Sequence, residues 1–274
     1  MNTLAETAHD GLIIAGRELA LVFRGRKGLL LIAALLAVAA LPALVRAIGN
    51  TGSNAETFQR AQIAAMMRFF PRDVVRYLID CPQPLTVGIV ATLFFQPAYV
   101  LLIGVEMIAG DVESGAIRFW AGRASRSGVV LGKALGLWGT TCALTLLVHA
   151  LIWATSAMGP AGDPAGVLRW GPRLYLLSCA AAMVPVAFVT LLGVSASHPR
   201  WVTAIGIVAL IATRIGRTML ANRRFGVATW LPGALDDRLL SPFAGTVGSG
   251  LALVLAWSAL FMAAAFVIFR RRSL

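Results

Sequence analysis

Five stretches of this chain carry no charged residue and are long enough to cross a lipid bilayer: 28–45, 81–105, 134–162, 174–199 and 239–269. A helix needs about 18–20 apolar residues to span a hydrocarbon layer of ~30 Å. No soluble globule has an interior that would bury five such helices around one core. Composition agrees: Asp, Glu, Lys and Arg make up 13% of the chain, against ~25% in a soluble domain, and the mean hydropathy is +0.80. The expected fold is an all-α polytopic membrane protein. A shorter run, 201–213, adds a sixth candidate. Spans are placed near 28–48, 85–108, 129–156, 174–196, 201–220 and 246–269.

The formal net charge is +12, and the basic residues include only two lysines, Lys27 and Lys133. They flank the apolar runs, where such residues set topology and meet anionic headgroups. A basic face on a soluble module, which nucleic-acid binding requires, is not present in the pattern. Cys81, Cys142 and Cys179 are odd in number and lack metal-ligand spacing, so they read as small buried hydrophobes rather than a disulfide framework. The segment before the first run carries Glu6, Asp10 and Glu18, which argues against a cleavable signal. Leu12, Ala15, Leu19, Val22 and Phe23 recur at helical spacing, with Arg17, Glu18 and Arg24 off that stripe. The chain is therefore divided into an amphipathic interfacial helix at 1–27 and a six-helix transmembrane domain at 28–274. The basic clusters Arg24/Arg26/Lys27 and Arg270/Arg271/Arg272 share one side only if the span number is even. Both termini are then expected in the cytoplasm, in a bacterial inner membrane.

The loops differ in kind. The first, 49–84, opens on Gly49-Asn50-Thr51-Gly52 and continues with Ile63, Met66, Met67 and Phe70 on one helical face, which predicts amphipathic helices on the outer surface. The loop around Gly159-Pro160 and Asp163-Pro164 is a connector, and Ser197-His198-Pro199-Arg200 a tight turn. The segment at 221–245, with Trp230-Leu231-Pro232-Gly233 and Ser241-Pro242, predicts a broken or re-entrant structure.

The second loop, about 109–128, is the most informative. It runs Glu106-Met107-Ile108-Ala109-Gly110-Asp111-Val112-Glu113-Ser114-Gly115-Ala116-Ile117-Arg118-Phe119-Trp120, then Gly122-Arg123-Ala124-Ser125-Arg126 and Gly132-Lys133. Asp111 is placed to cap a short helix and Glu113 to complement its dipole. Ile117 and Trp120 share a face, and Gly122 ends the helix. A short helix with one apolar face and flanking charges suits docking into a partner's groove. An ordinary interfacial loop is the alternative.

These residues resemble the second cytoplasmic stretch of ABC-2 type permeases at Glu106, Asp111, Glu113, Gly115, Ser125, Arg126, Gly132 and Lys133. The sequence departs from that pattern at Ala116, where Thr is usual, and at Arg123-Ala124. The N-terminal Arg17-Glu18-Leu19 and Arg24, the six spans and the broken segment before the last follow the family in order. The resemblance implies a permease subunit for export, paired with a second permease, identical or related, and two copies of a separate ABC ATPase. ATP and Mg would then sit on that partner, and this chain would hold no cofactor or metal of its own. Loop two would be the coupling helix, with Glu113, Ser114, Gly115, Arg118 and Arg126 at or beside the ATPase-facing surface. Glu106 would be a gate or coupling residue, or else a carboxylate snorkelling into the headgroups.

Rival readings remain on the residues. Gly128-Val129-Val130-Leu131-Gly132-Lys133-Ala134 superficially resembles a phosphate loop. It has three residues between the glycines rather than four, and no Ser or Thr after the lysine. Gly193-Val194-Ser195-Ala196-Ser197 suggests a rhomboid-like intramembrane serine protease, but span six offers no histidine as a base. A self-powered secondary transporter or channel is the other alternative. Arg214 and Arg217, three apart near the outer end of span five, either snorkel to headgroups or face the outer mouth of a pathway. Pro97 is expected to kink span two, and His149 to bond another helix. Gly132, Gly136 and Gly139 mark a face for close helix approach.

Overall fold

The structure, a computed structural model, describes residues 4–25, 70–121, 124–158, 162–196, 198–222 and 232–271, with isolated positions between 32 and 67. It is helical, with no strand among the described residues. Helix α1 covers Leu4–Arg24 and α2 Arg72–Ile79; α3, Gln83–Gly104, runs on through a π-helical turn at Val105–Ala109 into α4, Gly110–Glu113. Then come α5 (Ala116–Ala121), α6 (Arg126–Met158), α7 (Pro164–Ala181) and α8 (Met183–Ser195). The chain closes with α9 (Pro199–Asn222), a 3-10 turn at Pro232–Ala234, α10 (Leu235–Leu239) and α11 (Ala244–Arg271).

Four helical runs are long and apolar enough to cross a bilayer: Gln83–Glu113, Arg126–Met158, Pro164–Ser195 and Ala244–Arg271. They correspond to expected spans two, three, four and six, and the first three are longer than their uncharged runs. Span four begins well before the predicted residue 174, because Asp163 caps α7 by accepting from Gly166 N at 2.8 Å. The apolar part of α9 is shorter, Pro199–Thr213. Expected span one and the 49–69 part of the first loop fall almost entirely outside the described residues, as does the 223–231 part of the broken segment.

The spans alternate in direction. Glu113 at the end of span two meets His198 at the start of α9, and Arg126 at the start of α6 reaches the carbonyl of Arg270 at the end of α11. Those termini therefore share one end of the bundle with loop two. Ile89, Ile108, Leu137, Leu144, Ile152 and Leu174 pack in the centre and are essentially inaccessible. Buried polar side chains stitch α3, α6 and α7 together: Tyr99 Oη lies 2.7 Å from Thr145 Oγ1, and Gln96 Nε2 donates to Ser178 O. In a membrane interior such bonds replace the water that polar groups lack. His149 differs from expectation. Its Nδ1 turns back on Thr145 O of its own helix, and its ring packs against Trp153 and Tyr175. Helix α3 continues through Pro97 without interruption; the irregular turn comes later, at Val105–Ala109.

Helix α6 has 33 residues, which at 1.5 Å each makes it about 50 Å long, some 20 Å more than the hydrocarbon layer. Its charged residues, Arg126 and Lys133, both lie in its first turns. Helix α1 lies along those turns, running parallel to them, so that Asp10 meets Gly128, Ile14 meets Gly132 and Glu18 meets Gly136 in order.

Candidate coupling site

The contact between α1 and α6 is built on small residues at four-residue spacing. A Cβ added to Gly132 would stand 2.7 Å from Ile14 Cβ and 2.8 Å from Gly11 O. At Gly136 it would stand 2.9 Å from Glu18 Cβ. Only glycine lets the two backbones approach so closely. Gly139, expected on the same face, has open space where a Cβ would go, with nothing within 4 Å; the stripe is Gly128, Gly132 and Gly136. On α1, Gly11, Ile14 and Glu18 are buried, whereas Leu12 stays 65% exposed. Of the apolar stripe read from the sequence, Ala15 lies against Gly136 and Val22 and Phe23 pack partly on the core, while Leu12 is left open.

Three levels of polar contact hold α1 in place. At the first, Ser125 caps α6, its Oγ accepting from Gly128 N at 3.0 Å. The backbone N–H of Ser125 in turn donates to Asp10 Oδ2 at 3.1 Å. In an ordinary capping box the second acceptor comes from the same helix; here α1 supplies it. At the second level, the Arg17 guanidinium stacks 4.5 Å from the centroid of the Trp120 ring on α5.

The third level is the centre of the site. Lys133 has a side chain only 2% exposed. Its ammonium donates to Glu18 Oε1 on α1, to Asp111 Oδ2 on α4 and to Met107 O in the π-helical turn. Three donors meet three acceptors. Glu18 is nearly as buried as the lysine, while Asp111 keeps 28% of its side chain accessible. The π-helical turn belongs to this arrangement, since Met107 in it supplies the third acceptor. Asp111 thus does not cap a short helix as expected: α4 continues span two without a cap, and its carboxylate turns to Lys133. The sequence carried a signal for this cluster, since Lys133 is one of two lysines and stands beside a long uncharged run. The partner assignment needed the fold.

The expected loop-two residues occupy two surfaces. Glu113 and Ser114 are exposed where α4 ends. The chain reverses at Gly115, whose φ of +74° suits glycine best. Helix α5 follows, with Ile117 buried and Phe119 53% exposed. Phe119 does not stand out in the sequence, yet its ring is a large apolar surface left open on the short helix that follows Glu113. Arg126 points instead to the C-terminal carbonyl of Arg270 at 3.2 Å, a favourable place for a cation. Glu106 is exposed on the π-helical turn and is not one of the oxygens that hold Lys133. The side chains of Arg118, Arg214 and Arg217 lie outside the described residues. No group of three or more potential metal ligands occurs among the described residues.

The two rival motifs have other roles in the geometry. Gly128 and Gly132 receive α1, and Lys133 is sealed in its ion cluster. Ser195 Oγ donates to Leu191 O of its own helix, while His198 Nδ1 lies 3.3 Å from Glu113.

A family model described as ABC-2 family transporter protein matches residues 12–223, most of the chain. The chain belongs to that family. No curated protein matches the sequence. ABC-2 membership makes this chain a multi-pass membrane permease of an ABC transporter, of a kind that partners an ABC ATPase. The matched stretch contains all three charged members of the Lys133 cluster.

Proposed function

We propose that this ABC-2 permease forms an export pathway with a second permease subunit, and that loop two receives the motion of a separate ATPase present in two copies. ATP and Mg belong to that partner, and this chain hydrolyses none. Loop two and both ends of the chain face the cytoplasm. Glu113, Ser114, Gly115, Arg118 and Phe119 meet the ATPase, with Arg126 fastening the loop's far end to α11. The observation that carries this reading is the Lys133 cluster. It fastens loop two, through α4, to spans two and three and to α1 at once, so a push on α4 or α5 displaces helices rather than bending a loop. Buried charges paired in this way lock one arrangement because each partner is costly to expose.

The test uses the permease purified alone and with its ATPase. Alone it should show no ATP hydrolysis above background. In the complex, Glu113→Arg and Phe119→Ala should leave membrane insertion intact and uncouple hydrolysis from transport or weaken assembly. Robust hydrolysis by the isolated chain, or chemical labelling that puts position 115 on the outer face, would overturn the proposal. Arg214 and Arg217 are proposed to face the outer mouth; transport unchanged in the Arg214→Gln, Arg217→Gln double variant would remove them from the pathway.

A further inference from the structure

Between spans two and four, α9 and α11 the bundle leaves a cavity of about 200 Å³. Most of its wall is apolar, including Leu93, Phe188, Leu210 and Phe261, with Phe188 and Phe261 in ring contact at 5.4 Å. An apolar cavity of ~150 Å³ already takes a benzene-sized molecule. Two prolines on neighbouring spans, Pro97 and Pro185, both stand on the wall. Proline ends regular helix hydrogen bonding and pushes neighbouring turns apart, and span four is indeed interrupted at Ala182, between α7 and α8. Both helices thus bring a proline, with its missing N–H, to the cavity wall.

Gln96, on the wall near the middle of α3, spends an amide N–H on Ser178 O, and the polar side chains toward α10 offer acceptors. Thr213 spends its hydroxyl proton on Leu210 O at 2.9 Å, which leaves its oxygen as an acceptor. Pro185 lacks the N–H that would ordinarily serve the carbonyl of Ala181, another wall residue. Asp236 is the only ionisable side chain on the lining among the described residues, and it stands on α10 at the end of the bundle away from loop two. Asp236 has interactions of its own, but a carboxylate offers about four acceptor sites. Acceptors at one end and an apolar body elsewhere are complementary to a ligand that brings donors.

The geometry points to a binding site for a small cationic amphiphile, its hydrocarbon or single-ring body between Phe188, Phe261 and Leu210 and its protonated amine toward Asp236 and Thr213. A bilayer acyl chain has no donor to match these acceptors and is the competing occupant. The inference concerns binding within this chain and does not depend on how loop two is driven.

The test photolabels the purified full-length protein in nanodiscs with octylamine carrying a diazirine, and peptide mass spectrometry reads the labelled residues. Labelling at Phe188 and Phe261 should saturate, and excess octylamine should remove it, whereas labelling at the outward-facing Leu255 should do neither. Asp236→Asn should weaken cavity labelling several-fold, and Ala209→Phe, which fills the space, should abolish it. The diazirine derivative of octanoate should fail to label these residues. The inference is overturned if octanoate labels them equally. It is also overturned if a phosphatidylcholine with a diazirine in its acyl chain labels them and octylamine does not compete. Amine labelling no more saturable than at Leu255 has the same consequence. Because no ATPase is present, none of these results bears on the coupling proposal.

Discussion

Replacing Lys133 by Met keeps most of the side-chain volume and removes the charge from a site where the lysine is 2% exposed. Glu18, with its side chain 6% exposed, is then a buried carboxylate without its counter-ion. Breaking a buried pair in this way costs about 3–5 kcal/mol. Asp111 keeps 28% of its surface and recovers part of its hydration, so Glu18 dominates the loss. The strain is relieved by letting α1 lift from α6, and the cost therefore shows as local opening of α1. At about 1.4 kcal/mol per decade, amide hydrogen exchange in the second half of α1 should speed up by roughly two to three orders of magnitude. The centre of α6, around Leu144, should change little. Glu18→Gln combined with Lys133→Met removes both members of the buried pair and should recover most of the protection, since the single loss is largely the penalty of an orphaned charge. An increase under about fivefold in the single variant, which is what an exposed ion pair supplies, would refute the argument that this cluster holds α1 to the bundle.

Gly132→Val should lower the thermal midpoint in detergent, because its side chain must displace Ile14 and the backbone of Gly11, an overpacking cost of about 1–3 kcal/mol. Gly139→Ala meets no atom within 4 Å and should be neutral or stabilising by about 0.5–1 kcal/mol, read in the same thermal assay. Ser125→Ala removes the cap of α6 and should cost about 1 kcal/mol, read as faster hydrogen exchange at the first turn of α6. Burial pushes the Cys81 thiol up to about 11, which favours the neutral form at ordinary pH. At pH 8 about one thiol in a thousand is then ionised. Alkylation of Cys81 should be slow there, rise with pH toward 11, and become fast at pH 8 once the protein is unfolded; fast labelling of the folded protein at pH 8 would contradict the burial.

The membrane class and four of the spans follow from the sequence because they depend on local quantities. An uncharged run either is or is not long enough to cross hydrocarbon, and 81–105, 134–162, 174–199 and 239–269 each lie largely within the helices found. Within loop two, the helix break at Gly115, with its φ of +74°, was not read from the sequence, which predicts one helix from Asp111 to Gly122. Helix α1 was legible as a helix but not as to which side packs. Its apolar stripe marks an interfacial helix, whereas the face that docks on α6 carries Gly11, Ile14 and Glu18. What decides that face is steric fit to Gly128, Gly132 and Gly136 and the pairing of Glu18 with Lys133, partners 115 residues apart. Separation along the chain also hid the role of Asp111, which local reasoning assigns to a helix cap. A charge in an apolar environment must find its counter-charge wherever the chain brings one, and only the tertiary structure determines which of the available carboxylates arrives there.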